Sequence, residues 1–117
     1  MGTMATVIAT SRFERDVKRL LTVQERVALR DALAPNPELY PVIPGTGGVR
    51  KARWGRQGKG KSGGVRVIYY YWISDEEVYL LSIYAKSEQA DMSVADRKAV
   101  RTFMEGLKRA KKEKERR

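Results

Sequence analysis

Seven basic residues stand between Arg50 and Arg66 (Arg50, Lys51, Arg53, Arg56, Lys59, Lys61 and Arg66) with no acid among them. Such a cluster attracts a polyanion, and its phosphates above all. If the polyanion is RNA and the protein cuts it, attack by the neighbouring 2′-hydroxyl has three requirements. A base takes the hydroxyl proton, cations stabilise the phosphorane, and an acid protonates the departing 5′-oxygen. The chain has no histidine, so the base must be a carboxylate or a lysine crowded by other cations. Lys51, Arg53, Arg66 and Lys86 supply that crowd if the strands carrying them pair, and Glu88 is the nearby carboxylate. Tyr84, at a strand end beside Lys86, is the candidate for stacking or proton handling, while Arg50, Arg56, Lys59 and Lys61 are assigned to RNA binding.

The location of the charge says more than its size. Of the net +10, residues 50–66 contribute +7, the last ten residues (KRAKKEKERR) contribute +5, and everything else sums to −2. The tail 108–117 reads as a frayed helix or a disordered basic run that adds non-specific affinity. Lacking cysteine and histidine, the chain has no disulfides, no thiolate chemistry and none of the usual zinc ligands. No metal and no cofactor is expected. No apolar run approaches the roughly 18 residues of a membrane span, and the N-terminus lacks a charged region followed by an apolar one. The expected compartment is the cytoplasm, without a membrane partner. A length of 117 residues with 42% hydrophobic residues fits one domain, 1–117, with a small core.

The elements that must position the cations follow from periodicity. Thr6–Thr10 is β-branched and reads as a first strand. Ser11 and Glu14 form a capping box opening a helix with Phe13, Val17, Leu20 and Leu21 on one face. Thr22 and Glu25 form a second, whose helix buries Ala28, Leu29, Ala32 and Leu33 and stops before Pro35. Residues 35–48 form a connector lying over the sheet through Leu39, Tyr40, Val42 and Ile43. From Val49 to Trp54, alternation puts Lys51 and Arg53 on one face and Ala52 and Trp54 on the core side. Residues 55–64 link two strands. Gly58 to Ser62 superficially resembles a nucleotide-binding loop, but lies between strands instead of opening a helix. Val65–Ile73 reads as a central strand, with Tyr69, Tyr70, Tyr71 and Trp72 mostly core and Arg66 a surface cation. Val78–Ala85 returns antiparallel, and Ser93 caps a last helix striped by Val100, Phe103, Met104 and Leu107. The result is an α+β domain: an N-terminal strand and helical hairpin packed on an antiparallel sheet, then a C-terminal helix, with the other, basic face of the sheet left uncovered.

The stretches GTGGVRKARWG, GKGKSGGVRVIYYYW and YLLSIYAKSEQADMS resemble the RelE superfamily of bacterial toxins, in its HigB-like branch, over most of the chain. The resemblance implies a RelE-like fold and the toxin of a type II toxin–antitoxin system. It also implies a ribosome-dependent, metal-independent endoribonuclease that cuts translated mRNA in the A site. The partners it implies are the ribosome, A-site mRNA and a cognate antitoxin, commonly a helix-turn-helix DNA-binding protein. Carried over by position, the family's two strand lysines fall on Lys51 and Arg53, its phosphate-stabilising arginine on Arg66, and the base ending the last strand on Lys86. Where the prototype has an arginine and a tyrosine, this chain has Ser87 and Ser93, so the acid is either Tyr84 or the loop of Lys59 and Lys61. A gyrase-inhibiting toxin on the same fold and a non-catalytic RNA-binding module are the alternatives.

Overall fold

In chain order the elements are β1 (Thr6–Ala9), α1 (Ser11–Leu20), α2 (Val23–Leu33), β2 (Arg50–Trp54), β3 (Val65–Trp72), β4 (Glu77–Ala85) and α3 (Val94–Glu115). The computed structural model describes residues 4–55 and 64–116. The sheet order is β1-β4-β3-β2. β2, β3 and β4 pair antiparallel, as the alternating runs predict, whereas β1 lies parallel to β4. The sheet is therefore mixed. β1 feeds directly into a helix, so it meets β4 through a long crossover and not a hairpin, and periodicity does not report that direction.

Capping chemistry sets the helix starts. Thr22 and Glu25 form the expected box on α2, and Ser93 forms one on α3 with Asp96 as the reciprocal acceptor. On α1 the cap is displaced by one residue. Thr10, not Ser11, accepts from the Phe13 amide at 3.4 Å, because its hydroxyl is also pinned to the Leu80 carbonyl at 2.9 Å. Glu14 is thereby free to pair with Arg26 across the helical hairpin.

One core lies between the hairpin and the sheet, with Phe13, Val17, Leu29, Leu33, Val67, Tyr69 and Ile83 at its centre. Ala28, expected inside, faces solvent, and Leu39 and Val42 of the connector stay largely exposed. A second core occupies the opposite face, where Val100, Met104 and Leu107 of α3 pack on Ile68, Tyr79, Leu81 and Tyr84. This corrects the expectation of an uncovered face: the C-terminal stripe needed a surface to bury itself on, and the hairpin already filled the first one. No described helix is long and apolar enough to cross a membrane.

The basic tail is helical through Glu115, where the charge pattern suggests fraying or disorder. Lys111 accounts for it. Its ammonium donates to both Asp75 and Glu77 and lies 5.5 Å from the Trp72 ring centroid and 6.0 Å from that of Tyr79. Burial alone would lower the Lys111 pKa, but the two carboxylates outweigh it and raise the value. Truncating this side chain, Lys111→Ala, should raise amide exchange over residues 108–115 and lower the melting midpoint by roughly a few degrees. Unchanged protection there would show that the clasp does not hold the last turns.

A second tie joins α1 to the start of α3. Asp96, its side chain 10% exposed, accepts from Arg12 at 2.8 Å, Gln89 at 3.0 Å and the Ser93 amide at 3.0 Å. Burial pushes its pKa up, yet these donors prevail and hold it at about 2, below the ordinary 3.8. A depressed folded-state value contributes stability that is complete above the unfolded pKa and lost as pH falls through the folded one. At neutral pH the difference amounts to about 2 kcal/mol. Denaturant melts should show that loss between pH 4 and 2 in the parent, and a flatter profile in Asp96→Asn. Parallel profiles would remove Asp96 from the account.

Candidate functional site

The register brings three strands together in one row. Arg53 of β2 stands opposite Arg66 of β3, and Arg66 stands opposite Tyr84 of β4. Lys51 shares that face one step along, opposite Ile68. A bulge makes the row possible. Ile68 pairs with Ser82 while Tyr69 pairs with Leu80, which leaves Leu81 as the extra residue of β4. Strict alternation from Tyr79 would have turned Tyr84 toward the helical hairpin; the inserted residue returns it to the α3 side beside Arg66.

Arg66 is only 9% exposed, so it is not the surface cation that strand position alone suggests. Among the described residues its guanidinium has no carboxylate partner and donates one hydrogen bond, to the Val65 carbonyl at 3.4 Å. Residues 56–63 contain no acid. A guanidinium in that state carries a desolvation cost that an incoming anion relieves. Arg53, exposed, has no ion pair among the described residues either.

Tyr84 is 3% exposed, and its hydroxyl makes a long 3.5 Å contact to Asp91 Oδ1. Burial and the Asp91 charge push its pKa up to about 12 against the opposing pull of Arg66. The phenol, protonated at neutral pH even at its ordinary value, is held in that form more firmly still. Asp91 is the site residue that sequence reasoning missed. Its Oδ1 accepts from Lys51 Nζ at 3.2 Å and from the Met92 amide at 2.8 Å, and its Oδ2 pairs with Arg97 at 3.2 Å. The Met92 amide and then Lys51 hold its carboxyl below the usual range, ahead of a smaller opposing effect of burial. The one available signal was its position, two residues before the Ser93 cap, where the β4–α3 turn must bend back over the row.

Other expected residues are placed differently. Glu88 pairs with Arg19 of α1 at 2.9 Å, so the carboxylate of the site is Asp91 and not Glu88. Arg50 is on the opposite face from Lys51, donating to the Tyr40 carbonyl at 2.7 Å and facing Glu38 at 3.6 Å. Lys86 is exposed in the turn after β4 and donates to the Ala90 carbonyl at 3.0 Å. Ser93 is occupied as a helix cap, and Ser87 is exposed in the same turn as Lys86. Arg56, Lys59 and Lys61 lie outside the described residues. Gly55 to Ser62 does satisfy the nucleotide-loop spacing G-x-x-x-x-G-K-S letter for letter. Its context does not fit, because the next element is β3, and such a loop delivers phosphate to a helix N-terminus.

The cations Lys51, Arg53 and Arg66 and the hydroxyl of Tyr84 thus share one face of the sheet in this α+β domain. A family model described as the RelE toxin of the RelE/RelB toxin–antitoxin system matches residues 45–116. The chain belongs to this RelE toxin family. Among solved structures it is similar to a double arginine-to-alanine mutant of the Escherichia coli toxin RelE in the free state, at 15% identity and a TM-score of 0.55, covering 75% of this chain and 90% of that one. It is also similar to the RelBE2 toxin–antitoxin complex of Mycobacterium tuberculosis, at 21% identity and a TM-score of 0.53, covering 76% and 95%. At these identities the likeness is one of fold.

The contacts of Asp91 make its effect on Tyr84 measurable without any substrate. Removing the carboxylate charge by Asp91→Asn takes away an anion that disfavours tyrosinate, so the Tyr84 pKa should fall from about 12. NMR titration of carbon-13-labelled tyrosine would follow it. An unmoved Tyr84 titration would mean that the two side chains are not coupled.

Proposed function

We propose that the protein is a ribosome-dependent endoribonuclease that cuts translated mRNA, and that a cognate antitoxin holds it in check. The observation that carries the reading is Arg66, a guanidinium 9% exposed and without an acidic partner among the described residues, lying between Arg53 and Tyr84. Arg53, Arg66 and Lys51 bind the scissile phosphate and stabilise the charge that grows on its oxygens. Tyr84 donates its proton to the departing 5′-oxygen. Lys86, which meets no carboxylate among the described residues, takes the proton of the 2′-hydroxyl as the free amine while that oxygen bonds to phosphorus. The products are a 2′,3′-cyclic phosphate and a 5′-hydroxyl, and no metal is required by this scheme. Asp91, held below the usual carboxylate range, is too weak a base for that step and serves to anchor Lys51.

Family membership supports the toxin reading, and the toxin–antitoxin complex with the same fold supports an antitoxin as partner. A segment contributing +7 without an acid fits a partner of opposite charge, with association that slows as salt rises. Arg66→Gln keeps much of the side-chain volume and removes the charge, so it should fold with a melting midpoint near that of the parent. Loss of one transition-state cation should lower mRNA cleavage by about 10²–10³, read as new 5′ ends in translated frames. Retained cleavage in a folded Arg66→Gln would refute the site assignment. Intact mRNA with altered DNA supercoiling in cells expressing the parent would refute the ribonuclease reading in favour of gyrase inhibition.

A further inference from the structure

A cavity of about 300 Å³ opens between the turn at Pro44–Thr46 and the first half of α3. Asp91 forms part of its wall, and the same carboxylate accepts from Lys51 at 3.2 Å. The cavity and the cationic row thus share the Asp91 carboxylate. Its apolar surface comes from Ile43, Met92, Val100 and Met104, while Arg97 and Arg101 stand one helical turn apart on its α3 side. Arg97 is tied to Asp91 Oδ2 at 3.2 Å, whereas Arg101 is exposed and has no ion pair among the described residues. The volume is at the lower end of the roughly 300–1,000 Å³ typical of small-ligand pockets, enough for one flat heterocycle.

We propose that this cavity is a nucleobase subsite, which receives the base of the nucleotide adjoining the scissile phosphate while Arg101 contacts the phosphate on that base's far side. The inference rests on the ribonuclease reading for its biological meaning and on the cavity itself for its chemistry. A phosphate held by Lys51 and Arg66 places the neighbouring base one sugar away, at the wall that Asp91 shares. The faces of a base are apolar and polarisable and fit between methionine and aliphatic side chains. Its edge carries donors and acceptors, which the Asp91 carboxylate and the Arg97 guanidinium can meet.

Titration with the four ribonucleoside 5′-monophosphates, followed through carbon-13-labelled methionine methyls, tests the site without a ribosome. The Met92 and Met104 methyls should shift saturably at millimolar nucleotide, with Met4, which is 64% exposed, unmoved. Ribose 5-phosphate, which lacks the base, should give no such shift. Arg101→Ala should weaken binding about tenfold, the size of one charge-assisted contact. Val100→Met, which extends a side chain into the cavity, should abolish it. Should Val100→Met fail to fold, the exposed Arg101→Ala variant and the ribose 5-phosphate control still decide. No methionine shift with any nucleotide, or equal shifts with ribose 5-phosphate, would overturn the subsite. A parent that binds nucleotide here yet cuts no mRNA would overturn the ribonuclease reading and leave the subsite standing.

Discussion

A guanidinium nearly withdrawn from water, in the middle strand of the cationic row, is the constraint on which the rest of the structure depends. Arg66 lies among side chains that belong to two cores, is 9% exposed, and meets no carboxylate among the described residues. Left alone, such a charge opposes folding. The fold tolerates it because both faces of β3 are otherwise heavily apolar, with Val65, Val67, Ile68 and Tyr69 fully buried beside it. Stability is contributed by these neighbours and not by the cation. The same reasoning explains why acids are used sparingly nearby: Asp91 pairs with Lys51 and Arg97 at the rim, and among the described residues no carboxylate reaches the centre of the row.

Two ties hold α3 over the sheet and so define the rim of the site. At its start, Asp96 is joined to Arg12 of α1 and to Gln89 of the preceding turn. Near its end, Lys111 joins the helix to Asp75 and Glu77 at the far end of the β3–β4 hairpin. Between them the apolar stripe covers Tyr79, Leu81 and Tyr84, and the burial of Tyr84 raises its pKa from the ordinary 10.0 to about 12. The helix that closes this core thereby also shifts the acidity of the tyrosine beneath it.

Much of the local structure was legible in the sequence, because caps and stripes are short-range patterns. The capping box at Thr22, the cap at Ser93 and the buried face of α1 follow from spacing alone. Arg50 was legible too, since the alternation that turns Lys51 and Arg53 to one face turns Arg50 to the other; reading seven bases as a single patch concealed it. What was not legible depends on partners distant in the chain. The bulge at Leu81 changes which of Ile83 and Tyr84 faces the site, and a run such as YLLSIYA carries no mark of where the extra residue falls. Glu88 and Asp91 are equivalent as letters, and only the path of the β4–α3 turn gives one to Arg19 and the other to Lys51.

That turn is where fold and chemistry meet most closely. Residues 86–93 must reverse the chain from the end of β4 to the cap of α3, and Asp91 does part of this work by accepting the Met92 amide at 2.8 Å. A carboxylate engaged in holding its own backbone has a fixed position, so the lysine, the arginine and the phenol that reach it are positioned by the turn as well. The arrangement costs Asp91 its basicity, because every donor that fixes it also lowers its pKa. An anchor made in this way cannot also be a strong base. The lysine it anchors is fixed as the cationic half of the same ion pair, and the division of labour among the charged side chains follows from the hydrogen bonds that build the turn.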